Sequence, residues 1–220
     1  MSGSVITLLN NDALIFNNDV LNVLNPSVIN SLASSSSDIY FEPASSANHD
    51  AICFDESTEI LCLNGKFQEV YIPVNKLIKG TLVKTYKHGF RRIDCIFKGQ
   101  FVNNKDNFRN CMFVLPKNKN MTKDLIVTGG HSILVDDLGE YKEENKKLFA
   151  FETPKIDNKY LLLSSVSKDF IKMENNDTYT YYHLVLENEG DNELRFGVWA
   201  NGVLTETPSK KFVTETLLGI

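Results

Sequence analysis

Residues 52–74 read ICFDESTEILCLNGKFQEVYIPV. Two runs rich in aliphatic, aromatic and β-branched residues flank Asn64-Gly65-Lys66, a composition that marks a turn between strands. The same character recurs outward along the chain. TLVKTYKHGF (81–90), RRIDCIFKGQF (91–101), CMFVLP (111–116), DLIVTGGHSILVDD (124–137), KYLLLSSV (159–166), TYYHLVLE (180–187) and LRFGVWANGVL (194–204) are short and mostly punctuated by Gly, Asn, Asp or Pro. Roughly nine short strands without a long helix predict a compact all-β domain. The one helix expected is a turn or so over Val74–Ile78, ahead of Gly80.

Composition shifts near residue 52. Five of the 28 acids, and none of the 23 Lys and Arg, precede Cys53, so 23 acids face 23 bases over the rest of the chain. Residues 1–33 form an N-terminal segment of short apolar runs among Asn and Asp, read as weak strands or a short helix. Residues 34–51, rich in Ser, Ala and Asn, read as a flexible linker. The β domain then spans 52–208, with a tail over 209–220. Balanced charge offers no basic surface for nucleic acid or acidic lipid. No apolar run approaches the ~18 residues of a membrane helix, and the N-terminus lacks a positively charged leader. A cytoplasmic protein with no nucleic-acid or membrane partner is the expectation.

Four cysteines are scattered as Cys53, Cys62, Cys95 and Cys111, without a CxxC pair or a zinc-like Cys/His spacing. No metal and no cofactor is expected, and the thiols are expected to be reduced. Cys62, Cys95 and Cys111 read as small buried hydrophobes. Cys53 differs, because it opens the first strand of the domain directly after the linker. Thr128-Gly129-Gly130-His131 lies between two apolar runs, a tight turn whose glycines are free to take positive φ. Such a turn can present a hydroxyl, backbone N–H groups and an imidazole, the side chain suited to proton transfer near neutral pH. The third constellation, Tyr181 to Glu187 followed by Phe196 to Leu204, reads as a hairpin through the acidic turn Asn188–Glu193. Its return strand is interrupted at Asn201-Gly202, a pair that commonly makes a two-residue turn. His183 on the outgoing run is a second candidate base, though a packed strand histidine is the plainer reading. His49 and His88 receive no role.

These three blocks, in this order, resemble the Hint domains of inteins, hedgehog autoprocessing domains and bacterial or viral Hint proteins. The opening block is similar in its leading Cys53-Phe54, its Thr58 and its Leu77-Ile78-Lys79-Gly80 element, the middle block in VTGGHSILV, and the late block in Ala200-Asn201-Gly202. The resemblance covers residues 53–208 and implies a horseshoe-like β fold that sets the leading Cys beside the TxxH turn. It implies Cys53 as nucleophile, Thr128 as polarising hydroxyl and His131 as proton donor to the departing nitrogen. The reaction implied is an N–S acyl shift at the Ile52–Cys53 bond, giving a thioester that water or a thiol resolves; the chain's own N-terminal segment is the substrate. Strain at the scissile peptide, of order 1–4 kcal/mol, would help to drive it.

The late block departs from the splicing pattern. Glu206 stands where splicing members carry a penultimate His, and Thr207 stands where they carry the cyclising Asn. A Thr has no side-chain amide with which to form a succinimide. The 13 residues after Thr207 also leave little for a second product. Self-cleavage without C-terminal cleavage or splicing is therefore expected, with His131→Ala more damaging than His183→Ala. Two other readings are a catalytically silent Hint-like binding or structural module and a cysteine protease acting in trans through Cys53 and His131.

Overall fold

The computed structural model describes residues 4–8, 12–16, 39–41, 52–149 and 152–215. It is an all-β protein. Strands β1 (Ser4–Leu8) and β2 (Asp12–Phe16) pair antiparallel as a separate two-stranded sheet, within the segment read as weak strands or helix. β3 (Ile39–Phe41) falls inside the span read as linker. The remainder of residues 1–51 lies outside the described residues.

From Cys53 onward the strands join one large sheet. β4 (Phe54–Asp55) is followed by the hairpin β5 (Glu59–Leu63) and β6 (Glu69–Pro73), closed where the Asn64 side chain accepts the N–H groups of Lys66 and Gln68. A single 3-10 turn at Val74–Lys76 stands where one turn of helix was expected. β7 (Leu82–Lys84) leads into β8 (Phe90–Val102), the longest strand. The first residues of β8 pair with β7. Its further length pairs antiparallel with β15 (Thr178–Leu186), and β3 lies parallel to its Phe97–Gly99. β8 thereby ties the two halves of the sheet together.

β4 is held between two neighbours, with Phe54 opposite Tyr182 of β15 and opposite Val127 of β10 (Leu125–Thr128). β10 also pairs with β9 (Met112–Leu115), which carries β14 (Ile171–Lys172) at the sheet's edge. After β10 the chain turns tightly into β11 (Ser132–Val135). β11 pairs with β13 (Lys159–Leu163), which carries β12 (Lys155–Ile156), and meets β17 (Val203–Glu206) at Ile133↔Thr205. Tertiary pairing therefore brings four distant pieces of sequence together: the start of β4, the end of β10, the middle of β15 and the end of β17. The core beneath them includes Phe54, Ile60, Val83, Ile93, Leu125, Leu184, Phe196 and Val198, all essentially inaccessible to solvent. Each such side chain contributes about 1.5–3 kcal/mol on burial.

Three local expectations are corrected. The run around the acidic turn does not form one hairpin, since β15 pairs with β8 and β4. The hairpin is instead β16 (Gly197–Ala200) with β17, closed at Asn201-Gly202, where both residues have positive φ (50° and 93°). A seven-residue helix, α1 (Lys142–Leu148), was not expected, because KEENKKL carries no apolar period. Glu143 and Glu144 in its first turn and Lys146 and Lys147 in its last complement the helix dipole. A shorter helix, α2 (Lys210–Val213), follows β17 and is capped by Ser209 Oγ, which accepts the Phe212 N–H. Of the three cysteines read as buried, Cys62 and Cys111 lie in the core while Cys95 is only partly covered.

Candidate active site around the Ile52–Cys53 peptide

Cys53 is buried, 1% exposed, because the residue after it enters a strand flanked on both sides. Its backbone N–H donates to Thr128 Oγ1 at 3.2 Å. Its carbonyl accepts from the Thr128 N–H at 3.3 Å and lies 3.1 Å from His131 Nδ1. The end of β10 thus grips Cys53 at both polar atoms of its backbone. The turn that supplies Thr128 and His131 is itself held: His131 N–H donates to Thr128 O, Gly129 N–H to Cys111 O, and Ser164 Oγ–H to Thr128 O.

Gly129 is required here for space and not for backbone freedom. Its φ is not in the left-handed region, but a Cβ would overlap the carbonyl oxygen of Phe108 and press on the Phe113 ring. The expectation of a positive φ at this glycine gives way to close packing of two backbones.

His183 reaches the same peptide from β15. Its Nε2 lies 3.5 Å from Cys53 Sγ, and its Nδ1 lies 2.7 Å from the carbonyl oxygen of Ile52. A carbonyl oxygen only accepts, so the short contact assigns the proton to Nδ1. Nε2 then carries the lone pair, directed at the thiol. One imidazole therefore touches both the sulfur and the carbonyl that the sulfur would attack. The Tyr181 ring meets it edge to face at 5.3 Å and helps to fix its plane.

His131 faces two carbonyl oxygens, Cys53 O from Nδ1 and Glu206 O from Nε2 at 3.2 Å. Burial pulls its pKa down to about 3; the Cys53 carbonyl opposes that shift, while His183 and Arg195 add to it. The ring is neutral at physiological pH, with one N–H shared between two acceptors, and protonation would complete the second bond. Burial pushes the Cys53 thiol well above its ordinary pKa, partly offset by the Thr128 hydroxyl, so the resting sulfur is a thiol and needs a base.

Glu206 braces this arrangement. Its Oε1 accepts the Ser132 N–H at 2.8 Å, and its Oε2 is paired with the Arg195 guanidinium. Burial lowers the Arg195 pKa to about 10, which leaves it cationic at neutral pH. Beside these residues lies a cleft of about 270 Å³ that Ile52 and Gly130 help to line. Neither the ion pair nor the cleft was expected from the sequence. Thr207 is buried at the end of the β16–β17 ladder, its hydroxyl accepting the Phe196 N–H at 3.1 Å.

Cys53, Thr128, His131 and His183, the four candidates named from sequence, lie together: Thr128 and His183 contact the Ile52–Cys53 peptide, while His131 contacts the Cys53 carbonyl of the next one. His88 lies elsewhere, paired with Asp157 at 2.8 Å, and His49 lies outside the described residues. Among the described residues no group of three His, Cys, Asp or Glu side chains is placed to hold a metal ion, and no helix is long and apolar enough to cross a membrane.

No family model matches this sequence, and no curated protein matches it. Among solved structures, the chain is similar to the TvoVMA intein at 10% identity and a TM-score of 0.40, over 70% of this chain and 96% of that one.

Proposed function

We propose that this chain is a Hint-type domain that cleaves its own backbone once, by an N–S acyl shift at Ile52–Cys53. The observation that carries the reading is His183, whose two ring nitrogens contact the Cys53 sulfur and the Ile52 carbonyl oxygen.

In this mechanism His183 Nε2 takes the thiol proton while Sγ attacks the carbonyl carbon of Ile52. The ring becomes an imidazolium, and its Nδ1–H donates a charge-assisted hydrogen bond to the developing oxyanion. Collapse of the tetrahedral adduct breaks the C–N bond and leaves the thioester on Cys53 Sγ. The departing nitrogen gains one proton, so the shift moves a proton from sulfur to nitrogen and consumes none overall. The imidazolium returns its Nε2 proton to that nitrogen and becomes neutral again, while Thr128 Oγ1, which already accepts the N–H, holds the nitrogen in place until that transfer. His131 and the Thr128 N–H hold the Cys53 carbonyl, so that the nitrogen swings away while the rest of the residue stays. For His131 to donate directly to the nitrogen, as the motif implies, its ring would have to leave that carbonyl.

Attack is intramolecular, which offsets the low thiolate fraction of a buried thiol. Water or a thiol then resolves the thioester, slowed by the β-branched Ile52. A protease acting in trans fits poorly, because Cys53 is covered and its sulfur already faces the chain's own peptide.

Intact mass of the purified protein, with and without dithiothreitol or hydroxylamine, tests this. Cleavage is expected to speed up with either reagent, giving a fragment that ends at Ile52 and one that begins with Cys53. Cys53→Ala should stay whole, also when mixed with cleaving protein. A cut at another bond, or one that survives in Cys53→Ala, would refute the acyl shift. A wild-type chain that remains at 24.9 kDa under all conditions would leave the silent module in its place.

A further inference from the structure

Gly99 lies inside β8, where a glycine weakens the strand and calls for a reason. It stands directly opposite Tyr181 of β15, and the tip of the tyrosine ring fills the space that a side chain at 99 would need. A Cβ there would overlap both Cζ and the hydroxyl oxygen of Tyr181. The tyrosine is buried and has a ring on either side of it. Phe101 lies 5.9 Å away between centroids and tilted by 51°, and His183 lies 5.3 Å away, edge to face at 73°. Residues two apart on a strand share a face, so Gly99 and Phe101 of β8 and Tyr181 and His183 of β15 form one patch on one face of the pair. Burial, with a further push from Cys53, holds the phenol above its ordinary pKa, so the ring is uncharged at neutral pH.

We propose that Tyr181, seated on Gly99, is a positioning residue that locks the His183 imidazole in the orientation presenting Nε2 to the Cys53 sulfur and Nδ1–H to the Ile52 carbonyl. The proposal rests on the acyl-shift reading above. The last torsion of a histidine is broad and nearly two-fold, and a half-turn about it exchanges both nitrogens for carbons. His183 would then meet the sulfur and the carbonyl oxygen with C–H groups, and neither base nor oxyanion donor would remain. A tyrosine ring held against the imidazole resists that turn. The tyrosine is held in its own place by the absence of a side chain at Gly99 and by Phe101 on its far side. The ring carries this role and the hydroxyl does not.

The test follows cleavage of the full chain in dithiothreitol by intact mass, with thermal melting confirming that each variant is folded. Tyr181→Phe keeps the ring and should cleave as the wild type does. Tyr181→Leu removes it and should slow cleavage by about 10–100-fold, since a small misplacement of a reacting group can cost about 10²-fold. Gly99→Ala should slow it to a similar degree by pushing the Tyr181 ring aside. In the double variant the two losses should not multiply, because a leucine at 181 does not reach the space that the new Cβ takes. Losses that multiply would show that Gly99 acts by another route and would overturn the pairing. The ring orientation is read without any cleavage in ¹⁵N-labelled Cys53→Ala chain, where the His183 signals are those lost on adding His183→Gln. There His183 should carry its proton on Nδ1 alone. Adding Tyr181→Leu should mix the two tautomers, and adding Tyr181→Phe should not. A single unchanged tautomer with Tyr181→Leu, or a wild-type rate in that variant, would overturn the positioning role while leaving the acyl shift standing. A chain that never cleaves would remove the acyl shift, and the tautomer measurement would then decide by itself whether Tyr181 holds the ring.

Discussion

Replacing His183 separates a catalytic reading of this site from a packing one. The side chain is 2% exposed on β15, opposite Phe97 of β8, and its ring makes the two contacts, at 3.5 Å and 2.7 Å, that a base and an oxyanion donor would make. His183→Phe keeps a flat ring and removes both nitrogens. Loss of a general base costs about 10²–10⁴-fold, and loss of one oxyanion donor costs about 10²–10³-fold. The two losses fall on one residue and are not additive, so a slowing of at least about 10³-fold is expected. His183→Gln retains an N–H able to reach Ile52 O but no base, and should fall between Phe and wild type. Cleavage would be followed as the intact-mass fraction over time in dithiothreitol, with far-ultraviolet circular dichroism and thermal melting confirming the fold. The motif order taken alone places His131 ahead of His183; the contacts place His183 on the reacting atoms. A folded His183→Phe that cleaves within tenfold of wild type would refute the reasoning.

Further outcomes follow from the same contacts. Gly129→Ala should lower stability by about 1–3 kcal/mol in a urea melt, because its Cβ meets backbone that cannot rotate away, and should slow cleavage by shifting Thr128 and His131; unchanged values of both would contradict the packing account. His131 has a folded pKa of about 3 against about 6.5 unfolded, so between those values the unfolded state binds more protons and stability rises with pH. At pH 5 this amounts to about 2 kcal/mol, or about 4–8 °C in melting temperature. Cys53→Ala protein should show that loss on acidification from pH 7, and the double variant with His131→Asn should show much less of it; equal slopes would count against a neutral buried His131. Glu206→Gln, which keeps an acceptor for the Ser132 N–H but strands the Arg195 charge, should destabilise by about 3–5 kcal/mol in a denaturant melt, and a neutral effect would show that the pair does not brace the site.

The fold class was legible because each strand is announced locally, by β-branched and aromatic runs between Gly, Asn and Pro. The β16–β17 hairpin was marked by Asn201-Gly202, whose positive φ values are those such a pair tolerates best. What local pattern could not supply was the pairing of β15. Its apolar residues and the acidic turn after it suit a hairpin with the next strand equally well, and only long-range register with β8 and β4 decides otherwise. The same limit explains the site. Cys53, Thr128 and His131 stand out through a domain edge and a Gly-rich turn. His183 sits among apolar strand neighbours, and its reach depends on Phe54 lying opposite Tyr182 across 128 residues of chain. The Arg195–Glu206 pair had no signal at all, since an acid at the end of an apolar strand is usually solvated.

Glu206 and Thr207, which the sequence comparison set against the His and Asn of the splicing pattern, are both structural here. The Glu206 carboxylate holds the first residue of β11 while its carbonyl faces His131, so one residue fixes the turn and the ring that emerges from it. A buried ion pair contributes little net stability over apolar packing, but it enforces register, because any slip strands a charge. Register is what a site assembled from β4, β10, β15 and β17 requires, since a one-residue shift of β17 would carry Glu206 to the opposite face of the sheet. Thr207 adds to the same end, its hydroxyl and N–H both bonded to Phe196 across the hairpin. The last strand thus braces the residues around the Ile52–Cys53 peptide, which is what the proposed single cut at that bond would require.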